Sequence, residues 1–326
     1  MDMPKVFVSR IIPDKGLDMI NEVAEAEVWQ DEMPPPYEVL LEKVSGVDGL
    51  VCLLTDKIDD QLMMAAGDKL KVISQMAVGF DNIDTTAASN RGIGVGHTPG
   101  VLTNTTADFA FALLMAASRR VAEGARYVHE RRWKTWGPKL LMGHDVYGAT
   151  LGIVGGGRIG QAVAQRASGF AMRILCYDPF VDEAAARAFG AEATSLENLL
   201  TESDFVSLHV PLMPDTRHMI GANELKTMKS TCVLINTARG PVVDPQALYQ
   251  ALNEGEISYA ALDVTDPEPI PSEDPLLTLD NCLIVPHIAS SSIASRTKMS
   301  TMVAENLAAG LKGERLPNCA NPEVYE

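Results

Sequence analysis

Short apolar runs alternate with amphipathic segments through the first hundred residues. The runs KVFVSRII, GLVCLL, LKVISQMAV and GIGVGHT predict strands, and the segments DKGLDMINEVA, PPYEVLLEKV and DDQLMMAAG predict helices. Strands that alternate with helices are typical of a parallel sheet covered by helices. We therefore expect this part of the chain to form a parallel α/β unit.

A second alternating series begins at Thr150. Its predicted strands are TLGIVGG, MRILCYD, DFVSLHV, CVLINTA, YAALDV and CLIVPH, and its predicted helices are IGQAVAQRASGF, DEAAARAFG, LENLLTE, NELKTMK and DPQALYQALNEG. This order predicts a six-stranded, doubly wound parallel sheet. A last amphipathic helix, SRTKMSTMVAENLAAGLKG, ends at Gly313.

The two series are joined by the segment TPGVLTNTTADFAFALLMAASRRVAEGARYVHERRW. Thr105 or Thr106 can cap a helix there, and Asp108 suits the positive first turn of that helix. The residues from Phe109 to Ala117 are almost all apolar, which predicts a buried helix long enough to link two domains.

Length and charge narrow the class of protein. A chain of 326 residues fits about two domains, and 46% hydrophobic with 21% charged residues indicates a soluble globular protein. Because no apolar run approaches about 18 residues and the N-terminus lacks a cleavable signal pattern, we expect no membrane span. The net charge of −16 argues against unaided binding to nucleic acid or anionic membranes.

Cysteine usage fits a reducing cytoplasm. The number is odd and no C-x-x-C spacing occurs, which predicts neither a zinc site nor a disulfide framework. Four of the five lie in apolar strand-like runs and are expected to be buried, inert thiols. The five are Cys52, Cys176, Cys232, Cys282 and Cys319.

A glycine-rich turn, GIVGGGRIG, follows the first strand of the second series. Gly155 suits a tight turn, Gly157 lets a pyrophosphate approach the backbone, and Gly160 allows close packing of helix and strand. The helix that begins at Arg158 and Ile159 offers free N–H groups to phosphates, and the Arg158 side chain can add charge. The turn therefore predicts a dinucleotide site, and a glycine turn without a ligand is the alternative.

An acidic residue stands where such a site recognises the ribose. Asp178 ends the next predicted strand, eighteen residues beyond Gly160. A carboxylate there can accept hydrogen bonds from the adenosine ribose hydroxyls and would repel a 2′-phosphate. We expect NAD(H) to be preferred, with NADP(H) as the possible alternative.

Polar residues follow the later strands of this sheet, where ligands of open parallel sheets bind. Arg239 can bind a carboxylate in a bidentate manner. His287 can exchange a proton with a carbonyl or hydroxyl oxygen, and Glu268 can hold its imidazole. The residues at these strand ends are His209, Val210 and Pro211, then Thr237, Ala238, Arg239 and Gly240, then Asp263 with Glu268, and finally His287.

Together these groups suit hydride transfer at a carbon beside a carboxylate. Each has an ordinary alternative: a surface ion pair for Arg239, a solvated side chain for Glu268 and a structural role for His287. Their joint placement on successive strands favours the catalytic interpretation. Among the other histidines, His209 is expected beside the cofactor, and four others are not expected to act: His129 and His218 are expected at the surface, and His97 and His144 have no partner visible in the sequence.

At these residues the chain resembles the D-isomer-specific 2-hydroxyacid dehydrogenases over essentially its whole length. The resemblance rests on GIVGGGRIGQAVAQRASGF, INTARGPVVD, LDVTDPEP and VPHIAS, in that order. The runs DGLVCLLTDKID, VGFDNID, TPGVLTNTTAD, WKTWGPKLLMG and DPLLTLDNC most resemble glyoxylate/hydroxypyruvate reductases.

The resemblance implies roles for matching residues. Arg239 becomes the carboxylate anchor, Glu268 the histidine partner and His287 the acid/base. Substrate contacts are implied for Leu53, the backbone of Val78 and Gly79, Asn82, and Trp136, which closes the pocket and can come from a partner subunit. Cofactor contacts are implied for Thr106, Val210, Pro211, Thr216, Ala238 and Asp263, with Asp263 near the nicotinamide amide.

The family also implies an architecture and an assembly. A flavodoxin-like substrate domain of residues 1–100 and 290–326 is expected beside a Rossmann-type NAD(P)-binding domain of residues 101–289, with the site in the cleft. The protein is expected to act on a small 2-ketoacid or 2-hydroxyacid as a homodimer, through an arm of about residues 101–148.

Two departures from the family pattern bear on the cofactor. Related reductases often carry an arginine-containing turn that accepts the phosphate of NADPH, whereas this chain has YDPF with Asp178. Ala289 stands where the family usually has glycine, and its methyl group can crowd the nicotinamide pocket.

Other functions stay open at this point. The nearest alternatives are a D-lactate or phosphoglycerate dehydrogenase, and a dinucleotide-sensing scaffold such as a corepressor. The intact trio disfavours a pure sensor. Met76 and Glu268 disfavour phosphite and formate chemistry, respectively.

Overall fold

The computed structural model describes residues 3–326. The chain divides into two compact units. The first comprises the described residues up to Leu102 together with Ser291–Glu326, and the second comprises Thr103–Ser290.

The first unit contains five parallel strands in the order β2-β1-β3-β4-β5. They are β1 Lys5–Val8, β2 Glu25–Val28, β3 Gly49–Cys52, β4 Val72–Gln75 and β5 Gly94–Gly96. Its helices are α1 Asp14–Asn21, α2 Tyr37–Lys43, α3 Asp60–Ala66 and α4 Thr85–Asn90, and the C-terminal helix of the chain, Ile293–Leu311, packs against α1. This strand order is that of a flavodoxin-like doubly wound sheet, which confirms the predicted fold class.

Two elements of this unit were not predicted from the hydrophobic pattern. β2 has the sequence EAEV and is half-buried to exposed. Among the strands of residues 3–326 it pairs only with β1, at the edge of the sheet. An edge strand with one solvated face needs no apolar run. α4 has the polar sequence TTAASN and is held at its start by the Asp84 side chain, which accepts from the N–H of Ala87 at 2.9 Å.

The second unit contains seven parallel strands in the order β12-β11-β10-β9-β6-β7-β8. They are β6 Thr150–Val154, β7 Arg173–Tyr177, β8 Glu192–Ala193, β9 Phe205–Leu208, β10 Val233–Asn236, β11 Tyr259–Leu262 and β12 Cys282–Ile284. Six of them were predicted. β8 has only two residues, too few for a periodic pattern, and it extends the sheet beyond β7.

The helices of this unit are α5 Thr103–Ser118, α6 Val121–His129, α7 Arg158–Ser168, α8 Glu183–Ala188, α9 Leu196–Glu202, α10 Ala222–Thr227 and α11 Pro245–Glu254, and the C-terminal helix of the first unit is α12. The predicted capping positions were wrong. Because α5 begins at Thr103, Thr105 and Thr106 lie inside its first turns instead of capping it. The helix ends at Ser118, and Arg120, with φ 51° in the left-handed region, separates it from α6.

The core of the second unit forms on both faces of its sheet. α5 presents buried alanines and leucines to α7 and to strands β10 and β11, as its apolar run predicted. Three cysteines, Cys52, Cys176 and Cys232, are buried, whereas Cys282 on the edge strand β12 is only half-buried. Among residues 3–326, no helix is both long and apolar enough to cross a membrane.

Candidate active site

The glycine turn connects β6 to α7 and depends on close backbone packing. Gly155 has φ 102°, and a Cβ there would lie 2.7 Å from the carbonyl carbon of His209. A Cβ at Gly160 would lie 2.1 Å from the oxygen of Gly155. A Cβ at Gly157 would meet no atom within 4 Å. Two glycines are therefore required by the fold, and the third leaves open space beside the backbone.

This open space is lined by groups that suit a dinucleotide. Gly157 is the N-cap of α7 and has no side chain to bond the free N–H groups of the first helical turn, which can then bind phosphate. Asp178 accepts from the N–H of Gly156 through Oδ2 and from that of Phe180 through Oδ1, each at 2.9 Å. Since each carboxylate oxygen can accept a second hydrogen bond, Asp178 can still bind ribose hydroxyls.

Two buried polar atoms at the same edge of the sheet are also available for hydrogen bonding. Within the described part of the chain, neither Nδ1 of His209 nor Oγ1 of Thr237 has a hydrogen-bond partner. Buried polar atoms are rarely left unbonded, so both atoms mark places where a ligand or water fits. The residues of this edge therefore fit a nicotinamide dinucleotide.

The loop after β9 holds an uncharged histidine. The N–H of His209 donates to the oxygen of Val154 at 2.8 Å, and Nε2 lies 2.8 Å from Oγ of Ser207. Burial lowers the pKa of His209 to about 4. Further along, half-buried Val210 leads into the exposed Pro211, whose oxygen accepts from Oγ1 of Thr216 at 2.6 Å.

The turn that carries Arg239 is fixed by a buried amide. Asn236 ends β10 with its side chain buried; Nδ2 donates to the oxygen of Arg239 at 2.9 Å, and Oδ1 accepts from the N–H of Ala238 at 3.0 Å. A Cβ at Gly240 would lie 1.8 Å from the oxygen of Thr265, so the turns after β10 and β11 are in contact. Arg239 itself is half-buried and donates from Nη1 to the oxygen of Ala238 at 2.8 Å.

Glu268 and His287 meet directly. The Oε1 atom of Glu268 lies 2.5 Å from Nδ1 of His287. An ionised carboxylate can only accept, so the imidazole donates from Nδ1 and keeps Nε2 for another partner. The peptide bonds Asp266–Pro267 and Glu268–Pro269 on either side of the glutamate are cis. His287 has φ 51°, and its N–H donates to the oxygen of Asp263 at 2.9 Å.

Asp263 holds the backbone that follows the histidine. Its side chain is 1% exposed, and the carboxylate accepts from the N–H of Ile288 at 2.7 Å and of Ala289 at 2.9 Å. Burial raises the pKa of Asp263, and these two hydrogen bonds oppose that effect. The methyl group of Ala289 is buried in the same turn. Asp263 therefore fixes the turn from which His287 projects.

The substrate residues that the family resemblance implies in the first unit lie on the loops that follow β3 and β4. The side-chain amide of Asn82 joins these two loops. Nδ2 of Asn82 donates to the oxygens of Leu53 at 3.1 Å and Asp56 at 2.8 Å. Val78 and Gly79 follow β4 in the other loop and are half-buried. In the second unit, Thr106 is buried on α5, whereas Trp136 is 78% exposed.

Sequence reasoning missed several polar residues that shape these loops. Gln75, Asn236 and Asp56 are buried and bond loop atoms, and His97 bonds the oxygen of Val78 at 2.9 Å. Gln75 and Asn236 end buried strands, so the rule that selected Arg239 and His287 could have found them. No local signal in the sequence marks the partner of His97.

A doubly wound sheet with a glycine turn and a Glu–His pair at its ligand-binding edge defines an NAD(P)-dependent oxidoreductase. The family model for the D-isomer specific 2-hydroxyacid dehydrogenase, NAD binding domain, matches residues 111–289. The chain belongs to the D-isomer-specific 2-hydroxyacid dehydrogenase family, as its sequence motifs predicted.

Individual relatives extend this result over the full chain. A glyoxylate reductase of Korarchaeum cryptofilum is 57% identical over 99% of this chain and 97% of its own. A Thermus thermophilus protein of known structure is 46% identical, with a TM-score of 0.92 over 97% of this chain and 99% of that chain. An NADPH-dependent glyoxylate/hydroxypyruvate reductase from Sinorhizobium meliloti, in complex with NADP and malonate, is 29% identical, with a TM-score of 0.86 over 99% of this chain and 98% of that chain.

Proposed function

We propose that the protein is a glyoxylate/hydroxypyruvate reductase that forms glycolate or D-glycerate. The observation that carries the proposal is the 2.5 Å contact between Glu268 and His287, on the strand-end edge that also carries Arg239. The glyoxylate reductase of Korarchaeum cryptofilum, 57% identical to this chain, supports the choice of substrate.

The chemistry follows from the groups on this edge. A bound reduced nicotinamide dinucleotide supplies the hydride. Arg239 binds the carboxylate of the 2-ketoacid with its planar guanidinium. Glu268 keeps the imidazole of His287 oriented from Nδ1, and His287 donates the proton on Nε2 to the carbonyl oxygen. In the reverse direction Nε2 of His287 accepts the hydroxyl proton.

We assign substrate binding to residues 1–100 with 290–326, and cofactor binding to residues 101–289. In the substrate domain the backbone of Val78 and Gly79 binds the carboxylate, Leu53 lines the pocket, and Asn82 supports both loops. Trp136 closes the pocket. The hydrogen bonds from Asn82 to Leu53 and Asp56 support this assignment.

We further propose that NADH is preferred over NADPH. The Asp178 carboxylate is held at the glycine turn by the N–H groups of Gly156 and Phe180, so its charge is fixed where a 2′-phosphate would have to lie. The related Sinorhizobium meliloti enzyme is NADPH-dependent. A preference of this chain for NADH would mean that the two relatives differ in their choice of cofactor.

We also propose that the protein works in the cytoplasm as a homodimer through the arm of about residues 101–148. Exposed apolar side chains are frequent in this arm and include Trp133, Trp136, Met142 and Tyr147. Large exposed apolar patches mark interaction surfaces, and a second copy of the chain is the partner that the family implies.

A steady-state matrix of NADH and NADPH against glyoxylate, hydroxypyruvate and other short 2-ketoacids tests the proposal. We expect turnover of glyoxylate or hydroxypyruvate, with a higher kcat/KM for NADH. No turnover of either ketoacid with either cofactor would refute the function, and a higher kcat/KM for NADPH would refute the role of Asp178.

His287→Ala and Arg239→Ala are expected to lower kcat/KM at least about a hundredfold. His218→Ala is the matched control, since His218 is exposed and shares the left-handed backbone of His287, with φ 52° against 51°. Both alanine variants carry the same backbone cost, so a larger loss in His287→Ala measures its chemical role. Equal losses in all three variants would contradict the assignment.

A further inference from the structure

Two side chains hold successive carbonyl groups of the Val78–Gly79 turn in the first unit. Nδ1 of His97 lies 2.9 Å from the oxygen of Val78. Nε2 of Gln75 donates to the oxygen of Gly79 at 2.9 Å. Neither side chain belongs to the catalytic groups described above. Both of their hydrogen bonds end on the backbone of the turn.

These hydrogen bonds determine where the backbone N–H groups point. In a trans peptide the N–H lies opposite the C=O of the preceding residue, in the same plane. With the oxygens of Val78 and Gly79 bonded to His97 and Gln75, the N–H groups of Gly79 and Phe80 point away from those side chains. Within residues 3–326 neither N–H donates to a protein acceptor. Two free N–H groups on successive residues can both donate to one bound anion.

Gln75 is itself rigidly placed. Its side chain is 0% exposed, and its amide forms hydrogen bonds in both directions with Asn82: Nε2 to Oδ1 at 2.5 Å, and Nδ2 of Asn82 to Oε1 at 3.2 Å. The Sγ atom of Cys52 also donates to Oε1 at 3.2 Å. Because the amide has no second orientation that satisfies these partners, it fixes the carbonyl of Gly79.

His97 is fixed from both sides. Its backbone N–H donates to the oxygen of Asn318 at 3.1 Å, and its own oxygen accepts from Nδ2 of Asn306 at 3.0 Å. The ring of Phe80 packs on the imidazole edge-to-face, with centroids 5.4 Å apart and planes at 90°. The backbone of His97 is therefore fixed, and its imidazole lies between the oxygen of Val78 and the ring of Phe80.

We propose that His97 and Gln75 are positioning residues for the substrate carboxylate. By holding the oxygens of Val78 and Gly79, they turn the N–H groups of Gly79 and Phe80 toward the ligand before it binds. This inference rests on the proposed 2-ketoacid reductase function. It adds to that function the side chains that preorganise its backbone anion site, and it assigns Phe80 N–H to that site.

His97→Leu tests the inference most directly. It removes the hydrogen bond from Nδ1 to the oxygen of Val78 and keeps an apolar group of similar bulk against Phe80. We expect the KM for glyoxylate to rise about three- to tenfold, the fold-change that corresponds to one such bond. We expect kcat and the KM for NADH to stay within about twofold of the wild type. His97→Asn places an amide N–H close to the position of Nδ1 and should restore most of the ketoacid KM.

Gln75→Glu supplies a second variant. Glutamate has the shape of glutamine but, when ionised, cannot donate to the oxygen of Gly79 or to Oδ1 of Asn82. The same selective rise in the ketoacid KM is expected. Asn321→Ala is the matched control, because Asn321 is also a buried amide of this unit. It bonds Ser89, Ile93 and Val95 and makes none of the hydrogen bonds that hold the Val78–Gly79 turn. It should lower Tm without changing either KM.

The outcomes separate the two proposals. A wild-type protein that turns over no 2-ketoacid refutes the proposed function. An active wild type whose His97→Leu variant keeps its ketoacid KM, or raises both KM values equally, refutes the positioning role. So does a His97→Asn variant that is as impaired as His97→Leu, since the recovered hydrogen bond would then be irrelevant to binding.

Discussion

At the scale of single residues, the strand ends of the second unit carry two kinds of polar group. Glu268 and His287 form a partly solvated pair whose free ring nitrogen can exchange a proton. Asn236 and Asp263 are almost fully buried and form hydrogen bonds with backbone atoms of the turns that follow β10 and β12. The reactive groups are thus positioned by neighbours that never need to meet the substrate.

His209 makes stability depend on pH. Burial lowers its pKa to about 4, whereas an unfolded chain titrates near about 6.5. Between these values the unfolded state binds the proton and the folded state does not, so the free energy of unfolding falls as the pH drops from about 6.5 to about 4. We expect His209→Gln to remove about 2 kcal/mol of this loss.

Urea unfolding of the protein without cofactor, measured at several pH values between 4 and 7, checks this expectation. His129→Gln serves as the control because His129 is exposed on α6. A His209→Gln variant that keeps the full wild-type slope over this range would show that another group titrates there.

At the scale of elements, the β6–turn–α7 unit separates the requirements of folding from those of binding. Gly160 lies where helix and turn touch, and Gly157 lies where the backbone faces open space. Both match the same sequence motif, but the physical reasons for the two glycines differ. Substitution by the same residue should therefore have different consequences at the two positions.

Gly160→Ala would force a methyl group to within 2.1 Å of the oxygen of Gly155. The helix must move, and we expect a loss of about 1–3 kcal/mol in the free energy of unfolding without cofactor. Gly157 has a φ of −71° that alanine adopts freely, so Gly157→Ala should lose no more than the roughly 1 kcal/mol that alanine costs at an N-cap. Its methyl group should instead weaken NADH binding.

Urea unfolding and fluorescence titration with NADH measure the two effects. Each variant is the control for the other, since both add one methyl group to the same turn. If Gly157→Ala bound NADH as tightly as the wild type, the open space beside that residue would not be the pyrophosphate site.

At the scale of the whole molecule, both sheets could be predicted because buried parallel strands appear in the sequence as apolar runs. The strands that escaped, β2 and β8, lie at sheet edges, where a charged or two-residue strand suffices. The break of α5 before Arg120 depends on one left-handed residue that no periodicity reveals.

The candidate site was predictable where a residue type and a strand end coincide, as for Arg239 and His287. It was not predictable where the partner is distant in sequence. His97 bonds Val78, nineteen residues away, and Asn306 bonds His97 across 209 residues. Such contacts arise only when the strands have been assembled, so a linear pattern contains no trace of them.

The proposed dimer makes a prediction at this scale. Light scattering should give twice the chain mass of 35.1 kDa. Trp133→Glu places a charge on the 60% exposed indole position of the arm and should shift the protein toward the monomer. Ile293→Glu is the control, since Ile293 is 90% exposed but lies outside the arm. A monomeric wild type, or equal dissociation of both variants, would contradict the assignment of the interface to the arm.

The position of β12 allows the acid/base group to be displaced on heating before the fold is lost. This strand has three half-buried residues and a single neighbour, β11, yet the turn that follows it carries His287. Short edge strands open locally at a lower free energy than the core of a domain. Fraying of β12 would displace the imidazole while the rest of the sheet remains intact. The rate at which activity is lost on heating then depends on the hydrogen bonds that Asp263 makes to the turn after β12. A more stable core would not slow that loss.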